Sequence, residues 1–375
     1  MMEVAKAIWR YAAIPAKRMR KSKGKPPAFF FGFPPWKAYI KSWQPNYITK
    51  RAPHNLSRLA FVAKWRPWMM WDRRSEAYVW GYKEPCFVRQ FCKKHGIPIV
   101  RVEDGFLRSV QLGAEKAPPI SLCFDRSGSL YYDATRESDL ERLIQTYDFD
   151  ADRDLMERAR NGIAKIIETR VSKYNVSNDF DPLTLYGEKT RKRVLVVGQV
   201  EGDMSMILGC ERPIDNNTFV WMVARQNPDA DIIYKPHPEV LRGLRKDPPQ
   251  SDPWDVSGVA RVLIEDVTLA DAFQTIDHVY TMTSLSGFEA LIRGIPVTCY
   301  GMPFYAGWGA TTDMQACPRR TARRTVAEIF AAAYILYPTY FDPIAGKHIS
   351  FEEALDLLTW MRDRKPLPRP VGTAE

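Results

Sequence analysis

The sequence lacks the closely spaced cysteines and histidines that a structural metal site needs. Its six cysteines lie far apart, mostly within apolar stretches, and form neither a CxxC motif nor a metal-ligand spacing with the five histidines. This pattern predicts reduced core residues in a cytosolic protein. The cysteines are Cys86, Cys92, Cys123, Cys210, Cys299 and Cys317.

Long apolar runs and the common nucleotide-binding fingerprints are also missing. The longest nearly uninterrupted apolar run, 329–337, is well short of the ~20 residues that a transmembrane helix needs, and no signal peptide is evident. The protein is therefore expected to be soluble or peripheral to a membrane. Neither GxGxxG nor GxxxxGK[ST] occurs, which weakens dinucleotide-binding and P-loop interpretations.

Positive charge is concentrated at the start of the chain. The formal net charge is +10, and eight Lys and Arg residues crowd the first 25 positions against one acid, Glu3. Apolar residues, Trp9 among them, are interleaved with these basic residues. Such a segment is typical of proteins that lie in the interface of an anionic membrane leaflet. The alternative is a solvated terminus whose charges only aid solubility.

Length and apolar content predict two α/β domains. A chain of 375 residues with 45% apolar residues can bury two ordinary cores. Apolar runs at 77–80 and 97–102 flank a helical pattern at 87–95, and this strand–helix–strand order implies a parallel sheet. From 193 onward a second series of strands alternates with helices. Its strands are predicted at 193–198, 231–234, 261–264, 278–281 and 296–300.

The predicted fold class is therefore α/β, with two Rossmann-like domains facing each other across a cleft. The predicted segments are a basic amphipathic leader at 1–25, an N-terminal Rossmann-like domain at 26–175, a linker at 176–192, a C-terminal Rossmann-like domain at 193–340, and a helix and tail at 341–375.

Three polar clusters follow apolar strand patterns, at 102–109, 198–203 and 234–238. In open α/β sheets, ligands bind in the crevice beyond the carboxyl ends of the strands. Two of the clusters hold carboxylates and the third holds a lysine and a histidine. Together they indicate transfer of a sugar from a nucleotide.

The third cluster, Lys235-Pro236-His237-Pro238, has the features of a phosphate site. The two prolines keep His237 in a stiff, extended segment that loses few conformations on binding. Lys235 and His237 are then able to neutralise and hydrogen-bond a departing phosphate. A purely structural histidine is the alternative.

A small-residue segment, Ser284-Leu285-Ser286-Gly287, follows the strand at 278–281 and opens a helix. Its backbone N–H groups are able to approach an anion, so Ser284, Ser286 and Gly287 are candidate phosphate ligands. An ordinary serine N-cap is the alternative interpretation.

Two pairs of acids are candidates for the chemistry. In Glu103-Asp104-Gly105 the adjacent carboxylates point to opposite sides of an extended chain, so one is able to accept the proton of an attacking hydroxyl. Glu201 and Asp203 follow the first strand of the second domain, and one of them is a candidate nucleophile for a double displacement. The alternative for Glu103 and Asp104 is a surface Asp-Gly turn. The alternative for Glu201 and Asp203 is a Gly-rich phosphate loop that includes Gly198 and Gln199.

Other residues carry weaker signals. Arg108 is a candidate for a bidentate pair with a substrate carboxylate. The aromatic residues of 303–309 predict either a substrate wall or packing between domains. The Trp- and Met-rich stretch 65–71 predicts core packing of the first domain, with contact to lipid or sugar as the alternative. Several DxD strings, such as that at 148–150, lie in polar contexts, so no metal is expected.

Five ordered blocks of the sequence resemble the capsule polysaccharide β-Kdo transferases of the KpsC/LpsZ type, where Kdo is 3-deoxy-D-manno-octulosonic acid. They are 103–109, 198–201, 234–238, 283–291 and 301–309, and the likeness runs from about Tyr78 to Asp313. The resemblance implies a retaining transfer of Kdo from CMP-Kdo to a glycan or lipid-linked acceptor on a GT-B-like fold. It also implies no cofactor, no nucleic-acid partner, and work at the inner face of the cytoplasmic membrane.

The resemblance also implies roles for individual residues. An acidic motif shared with bacterial sialyltransferases maps onto Glu103-Asp104-Gly105, which places the acid/base there and makes the first domain the acceptor side. The second domain then binds the nucleotide, with Asp203 the first choice for nucleophile and Glu201 the second. The residues that would hold CMP and its phosphate are Gly198, Gln199, Lys235, His237, Pro238, Ser284, Ser286 and Gly287.

The chain departs from many members of this family, which carry two transferase modules, because it holds one set of motifs. The acceptor and the exact nonulosonic sugar therefore stay open. Alternative functions are transfer of another CMP-nonulosonic acid, a GT-B-like sugar-nucleotide epimerase or hydrolase, and a non-catalytic basic module that binds lipid or polysaccharide.

Overall fold

The computed structural model describes residues 24–110, 116–172, 182–245, 248–265 and 267–364, and the chain forms two compact units. The first unit extends to Gly105 and is completed by Pro118–Leu130 and Thr339–Ile349. The second comprises Phe106–Ala117, Tyr131–Pro338 and the chain from Ser350. Each unit is built around its own sheet.

Thirteen strands lie within the described residues. They are β1 (Pro27–Phe31), β2 (Ile48–Arg51), β3 (Glu76–Trp80), β4 (Ile99–Asp104), β5 (Ser121–Asp125), β6 (Arg193–Val197), β7 (Asp231–Lys235), β8 (Arg261–Val262), β9 (His278–Thr281), β10 (Val297–Cys299), β11 (Thr312–Asp313), β12 (Pro338–Asp342) and β13 (Lys347–Ile349).

Helical segments connect these strands. The α-helical segments are Arg58–Ala60, Arg66–Trp71, Cys86–His95, Asp139–Thr146, Arg153–Thr169, Pro182–Tyr186, Met204–Gly209, Asn216–Gln226, Pro238–Leu241, Leu269–Ala272, Leu285–Leu291, Val326–Phe330 and Phe351–Asp363; Phe61–Trp65 and Ala331–Leu336 are π-helical, and Pro35–Lys41 and Pro253–Val256 are 3₁₀ segments.

The first sheet has the order β13-β12-β5-β4-β3-β1-β2. The strands from β2 to β4 are parallel, which confirms the predicted strand–helix–strand unit around Cys86–His95. That helix ends at Gly96, whose φ of 63° is left-handed and suits glycine. β5 is antiparallel to β4, and β12 and β13 form an antiparallel pair. The sheet is therefore mixed, and the simple parallel Rossmann-like prediction for this domain is wrong beyond β4.

Both faces of the first sheet are covered, which explains the continuous apolar sequence of β1. Phe29 and Phe31 pack with Trp65 on one face, whereas Phe30 packs with Tyr78 on the other. Alternate residues of a strand point to opposite faces, so a strand buried on both sides needs apolar residues throughout.

The second sheet has the order β11-β10-β9-β6-β7-β8, and every pair is parallel. Numbered along the chain, this is the 3-2-1-4-5-6 order of the doubly wound Rossmann fold. The predicted strands of the second half are confirmed in existence and order, although β8 is shorter than predicted. The helix Phe351–Asp363 is also confirmed, and a capping box at Ser350 and Glu353 begins it.

The predicted boundary at 175 differs from the division found in the structure. The helix Arg153–Thr169 belongs to the second unit, where it packs against Val326–Phe330, Ala331–Leu336 and Phe351–Asp363. Gly162 allows this close approach, since a Cβ there would lie within 3.0 Å of the Phe330 and Phe351 rings. The predicted C-terminal segment is also divided, because β12 and β13 extend the first sheet.

The predicted linker at 176–192 lies partly outside the described residues. Its described part folds against the second unit, where Tyr186 is buried and its hydroxyl donates to the carbonyl of Ala272 at 2.8 Å. Most of the basic leader, 1–23, and the end of the tail, 365–375, also lie outside the described residues.

Within the described part of the chain, no helix is long and apolar enough to cross a bilayer. The six cysteines are free thiols, and three of them, Cys92, Cys123 and Cys299, are buried. Burial raises the pKa of Cys92 to about 12, so this thiol is protonated and unreactive at neutral pH.

Candidate functional site

The second sheet has its topological switch point between β6 and β9. From β6 the chain continues to β7 and β8 on one side, and from β9 it continues to β10 and β11 on the other. In doubly wound sheets the crevice beyond the carboxyl ends of the strands at this point is the usual ligand site.

Strand register brings the three predicted strand ends of this unit to the same level. Val197 at the end of β6 pairs with Lys235 of β7 on one side and with Thr281 of β9 on the other. The backbone N–H of Gly198 continues this pattern by donating to the Lys235 carbonyl at 2.9 Å. The prediction that these segments end at a common edge is therefore confirmed. We call residues 198–203, 235–238 and 283–287 the switch-point cluster.

Gln199 connects the two sides of the switch point. Its side-chain Nε2 donates to Thr283 Oγ1 at 3.0 Å, and its Oε1 accepts from the Thr283 backbone N–H at 2.7 Å. Its own backbone N–H donates to Asn216 Oδ1 at 2.9 Å. Gln199 is therefore a buried clamp, and Thr283 and Asn216 are its partners. Sequence reasoning gave these two partners no role, because side-chain pairing between distant loops leaves no local pattern.

Gly198 and Gly287 are both required by close packing. A Cβ at Gly198 would lie 2.8 Å from the Tyr234 hydroxyl, and a Cβ at Gly287 would clash with the Tyr305 hydroxyl. The absence of a side chain at these two positions thus has a packing reason within the fold. Any role in phosphate binding stays a prediction.

The two acids of the first loop have different surroundings. Glu201 is half-buried, and its Oε1 accepts from the backbone N–H and the side-chain Nδ2 of Asn216, both at 2.8 Å. Its Oε2 accepts from the Ser251 backbone N–H at 3.2 Å. Both carboxylate oxygens therefore fasten the loop to neighbouring segments. Asp203 is exposed and caps the helix Met204–Gly209 through Ser205. Of the pair, Asp203 is the more accessible to a ligand.

The predicted phosphate-binding strand end is well ordered by its own hydrogen bonds. Lys235 ends β7 and is buried, and His237 is extended, as the flanking prolines predict. The His237 Nδ1 accepts from the Glu239 backbone N–H at 3.2 Å. Because Nδ1 is the acceptor, the neutral ring carries its proton on Nε2. His237 is thus set to act as a hydrogen-bond donor through Nε2.

Ser284 caps the helix Leu285–Leu291, as the alternative interpretation of this segment predicts. Its Oγ accepts from the Ser286 backbone N–H at 3.2 Å and lies 3.1 Å from the Ser286 hydroxyl. The buried Tyr305 hydroxyl donates to the Ser284 carbonyl. The position of Ser284 is therefore fixed from both its side chain and its backbone.

The aromatic block 303–309 forms part of the core of the second unit. Phe304, Tyr305 and Trp308 are buried. The buried Arg320 donates to the Pro303 and Ala306 carbonyls and pairs with Glu141 at 3.0 Å. These contacts show packing within the second unit, partly against residues such as Phe106 and Glu141 of the predicted N-terminal domain. A substrate wall stays a prediction.

In the first unit, Glu103 and Asp104 form the half-buried end of β4. They pair with Cys123 and Leu122 of the antiparallel β5, and the Asp104 backbone N–H donates to Glu103 Oε1 at 3.1 Å. Gly105 follows because a Cβ there would clash with the Ser121 side chain. The antiparallel partner was not predicted. It explains why a glycine stands directly after the two acids.

Arg108 belongs to the second unit, whereas the predicted N-terminal domain at 26–175 includes it. Phe106 packs against Tyr131, Phe304 and Tyr334, and this packing carries the following residues into the second unit. The Arg108 side chain is 1% exposed, and its Nη1 donates to Ser109 Oγ at 2.8 Å.

The acidic strings of the sequence serve local structure where they are described. Asp148 accepts from the Ala151 backbone N–H, and Asp152 caps the helix Arg153–Thr169. Across the described residues, no cluster of three or more His, Cys, Asp or Glu side chains is arranged to hold a metal ion.

Comparison with known proteins places this geometry in a family. The family model of capsule polysaccharide biosynthesis proteins matches residues 77–187 and 153–346. The lipopolysaccharide-processing protein LpsZ of Rhizobium meliloti is 41% identical over 354 residues, which are 93% of this chain and 77% of LpsZ.

Two solved structures match along almost their whole length. The KpsC β-Kdo 2,4 transferase of Thermosulfurimonas dismutans aligns with a TM-score of 0.73 and 33% identity, over 89% of this chain and 98% of that one. The KpsC β-Kdo 2,7 transferase of the same organism aligns with a TM-score of 0.68 and 30% identity, over 90% and 99%. The chain therefore belongs to the capsule polysaccharide biosynthesis family, among proteins of the KpsC and LpsZ type.

Proposed function

We propose that this protein is a retaining β-Kdo glycosyltransferase that moves Kdo from CMP-Kdo to a glycan or glycolipid acceptor in surface polysaccharide synthesis. The observation that carries the proposal is the likeness to two KpsC Kdo transferase structures, each covered almost completely at 30% identity or more. A GT-B-like arrangement of the two domains and a place at the inner face of the cytoplasmic membrane are parts of the same proposal.

The switch-point cluster is the proposed CMP site. Lys235 and the Nε2–H of His237 would neutralise and hydrogen-bond the phosphate as it leaves, while Ser284 and Ser286 offer hydroxyl and backbone donors. Support comes from the register that brings these segments to one level and from the Nδ1 hydrogen bond that makes Nε2 the donor.

The proposed reaction is a double displacement. A carboxylate oxygen of Asp203 attacks the anomeric carbon of Kdo, the bond from that carbon to the phosphate oxygen breaks, and CMP departs with the electron pair. The acceptor hydroxyl then attacks the same carbon, the bond to Asp203 breaks, and Glu103 or Asp104 takes the hydroxyl proton. Two inversions give net retention.

Asp203 is preferred to Glu201 as the nucleophile because of its surroundings. Glu201 already accepts three hydrogen bonds that fasten its loop, whereas Asp203 is exposed. Arg108 is the proposed partner of the Kdo carboxylate, and because its side chain is 1% exposed, this role requires the site to open to it when the donor binds. A guanidinium suits this role because it can form two parallel hydrogen bonds with a carboxylate.

Incubation with CMP-Kdo and a Kdo-terminated glycan tests the function directly. The expected result is release of CMP together with an acceptor extended by one Kdo. Release of CMP without an extended acceptor would identify a hydrolase, and absence of CMP binding in calorimetry would contradict both the function and the roles given to His237 and Ser284.

Mass spectrometry of the protein after brief exposure to CMP-Kdo tests the nucleophile. A Kdo adduct is expected on the peptide that contains Asp203, and Asp203→Asn should abolish it. An adduct mapped to Glu201 would reverse the assignment within the pair.

A further inference from the structure

The helical stretch from Arg58 to Trp71 exposes large apolar side chains to solvent. Its inner side packs into the core of the first unit through Phe61, Trp65 and Met69. Its outer side carries Leu59, which is 84% exposed, Met70 at 49% and Trp71 at 56%. A helix on the surface of a globular unit normally turns mainly polar residues to water, whereas this one exposes large apolar side chains as well.

The exposed apolar residues form a group. Leu59, Ala63 and Met70 recur at helical spacing, and Val62 and Trp71 extend the exposed surface around them. We call these five residues the outer helix face. Single exposed apolar residues are ordinary, but a contiguous group marks a surface that contacts something other than water.

The charges around the outer helix face are predominantly positive. The exposed basic residues within and just after the helical stretch are Arg58, Lys64, Arg66, Arg73 and Arg74. On the neighbouring edge strand β2, the Lys50 Nζ lies 4.9 Å from the centre of the Trp68 ring. Asp72 is paired with Arg74 at 2.8 Å. The apolar group is thus bordered by positive charge.

The sequence extends this asymmetry well beyond the helix. Asp and Glu are absent from Val4 to Trp71, a stretch that holds 15 of the 54 Lys and Arg residues. The rest of the chain has 39 Lys and Arg against 44 Asp and Glu, so it is net negative. The positive charge of the protein therefore resides in the segment that bears the outer helix face.

We propose that the outer helix face docks on the anionic surface of a phospholipid bilayer. Leu59, Met70 and Trp71 enter the interface between headgroups and acyl chains, and Arg58, Lys64 and Arg66 contact lipid phosphates. The predominantly basic border is what favours an anionic bilayer over a protein partner. This inference rests on the proposed work at a membrane but not on the chemistry of the donor sugar.

Sedimentation of the full chain with vesicles tests the docking. The protein is expected to bind vesicles of phosphatidylcholine mixed with phosphatidylglycerol and to bind phosphatidylcholine alone weakly. The double variant Met70→Ser/Trp71→Ser should lower the partition coefficient by about tenfold or more, since it removes two apolar side chains from the interface. Added salt should weaken the remaining binding.

A matched control lies in the second unit. Met314 is 43% exposed and Trp254 is 56% exposed, close to the values of Met70 and Trp71. Met314→Ser/Trp254→Ser should leave the partition coefficient unchanged. The basic leader is identical in both variants, so the difference between them isolates the outer helix face.

Equal vesicle binding by the two double variants would overturn the docking inference. So would a concentration-dependent dimer, detected by ultracentrifugation and lost in Met70→Ser/Trp71→Ser, because the face would then bind a second copy.

Transfer of Kdo to a water-soluble acceptor should persist in Met70→Ser/Trp71→Ser. If the unaltered protein shows no such transfer, the proposed function is contradicted, whereas the vesicle result still tests the docking by itself.

Discussion

At the scale of single residues, the switch-point cluster depends on one amide side chain. Gln199 uses both ends of its amide on Thr283, while its backbone is held by Asn216. The residue that joins the loop after β6 to the segment after β9 is therefore a neutral hydrogen-bonding group. It is not one of the charged residues that the sequence indicates as candidates for the chemistry.

Gln199→Ala should weaken CMP binding by about tenfold, or about 1.4 kcal/mol. The substitution removes the hydrogen bonds that hold the loop after β6 against the segment after β9. Calorimetric titration with CMP measures the effect, and Gln226→Ala, an exposed change at the end of Asn216–Gln226, should leave the dissociation constant unchanged. Equal affinities for the two variants would contradict the clamp.

His278 on β9 should make stability depend on pH. Burial, assisted by the nearby charge of Lys192, lowers the pKa of this half-buried ring, whose Nε2 lies 2.8 Å from Thr298 Oγ1. Its folded pKa lies below the unfolded value of about 6.5, so its contribution is fully present above that pH. As the pH falls from there towards the folded pKa, the unfolded state takes up the proton first and stability is lost.

Melting temperatures between pH 7.5 and pH 5.5, a range that spans the ordinary histidine pKa of about 6.5, test this dependence. The unaltered protein should lose more stability over this range than His278→Gln, which keeps a hydrogen-bonding group beside Thr298. Parallel pH profiles for the two proteins would show that another group is responsible.

At the scale of elements, the segment 303–309 holds the start of the helix Leu285–Leu291 in place. Tyr305 is buried, its hydroxyl donates to the Ser284 carbonyl, and Arg320 fixes the segment through two of its carbonyls. The proposed phosphate donors are thus positioned by packed residues that are not themselves proposed to contact the ligand.

Tyr305→Phe should weaken CMP binding severalfold while the fold persists. The loss of one buried hydroxyl hydrogen bond costs about 1 kcal/mol and frees the Ser284 carbonyl. Tyr280→Phe is the matched control, since Tyr280 on β9 of the second unit also uses its hydroxyl, as the acceptor of an Asn227 hydrogen bond. If both variants bind CMP like the unaltered protein, the positioning role of Tyr305 is wrong.

Local patterns predicted most of the second sheet but little of the first beyond β4. Apolar runs such as 193–197 and 231–235 are buried parallel strands, and their ends hold the predicted site residues. β5 and β12 were missed because the pairing of a strand with a segment that is distant in sequence leaves no local sequence signal. For the same reason the sequence indicated Gln199 as a site residue but not its hydrogen-bond partners. It likewise indicated Arg108 but not that its side chain is buried.

At the scale of the whole molecule, the two units are interleaved along the chain. The first sheet needs β12 and β13, which follow the whole second sheet in sequence. The second unit in turn needs Arg153–Thr169, which precedes its first strand. A single cut in the predicted linker therefore divides both units rather than separating them.

A fragment comprising residues 1–175 should fail to fold alone. It lacks β12 and β13, and its helix Arg153–Thr169 lacks the segments that cover its apolar side. Solubility and thermal unfolding by circular dichroism measure the outcome, and co-expression with 176–375 should restore a soluble protein. Cooperative unfolding of the isolated fragment would contradict the interleaved division.

The late position of β12 has a consequence for synthesis of the protein on the ribosome. β5 ends at Asp125, but the strand beside it begins at Pro338. During translation one backbone edge of β5 therefore stays unpaired until nearly all of the second unit has been synthesised. Exposed strand edges invite pairing with other chains, so the nascent protein is most prone to aggregation just before its last segment is made.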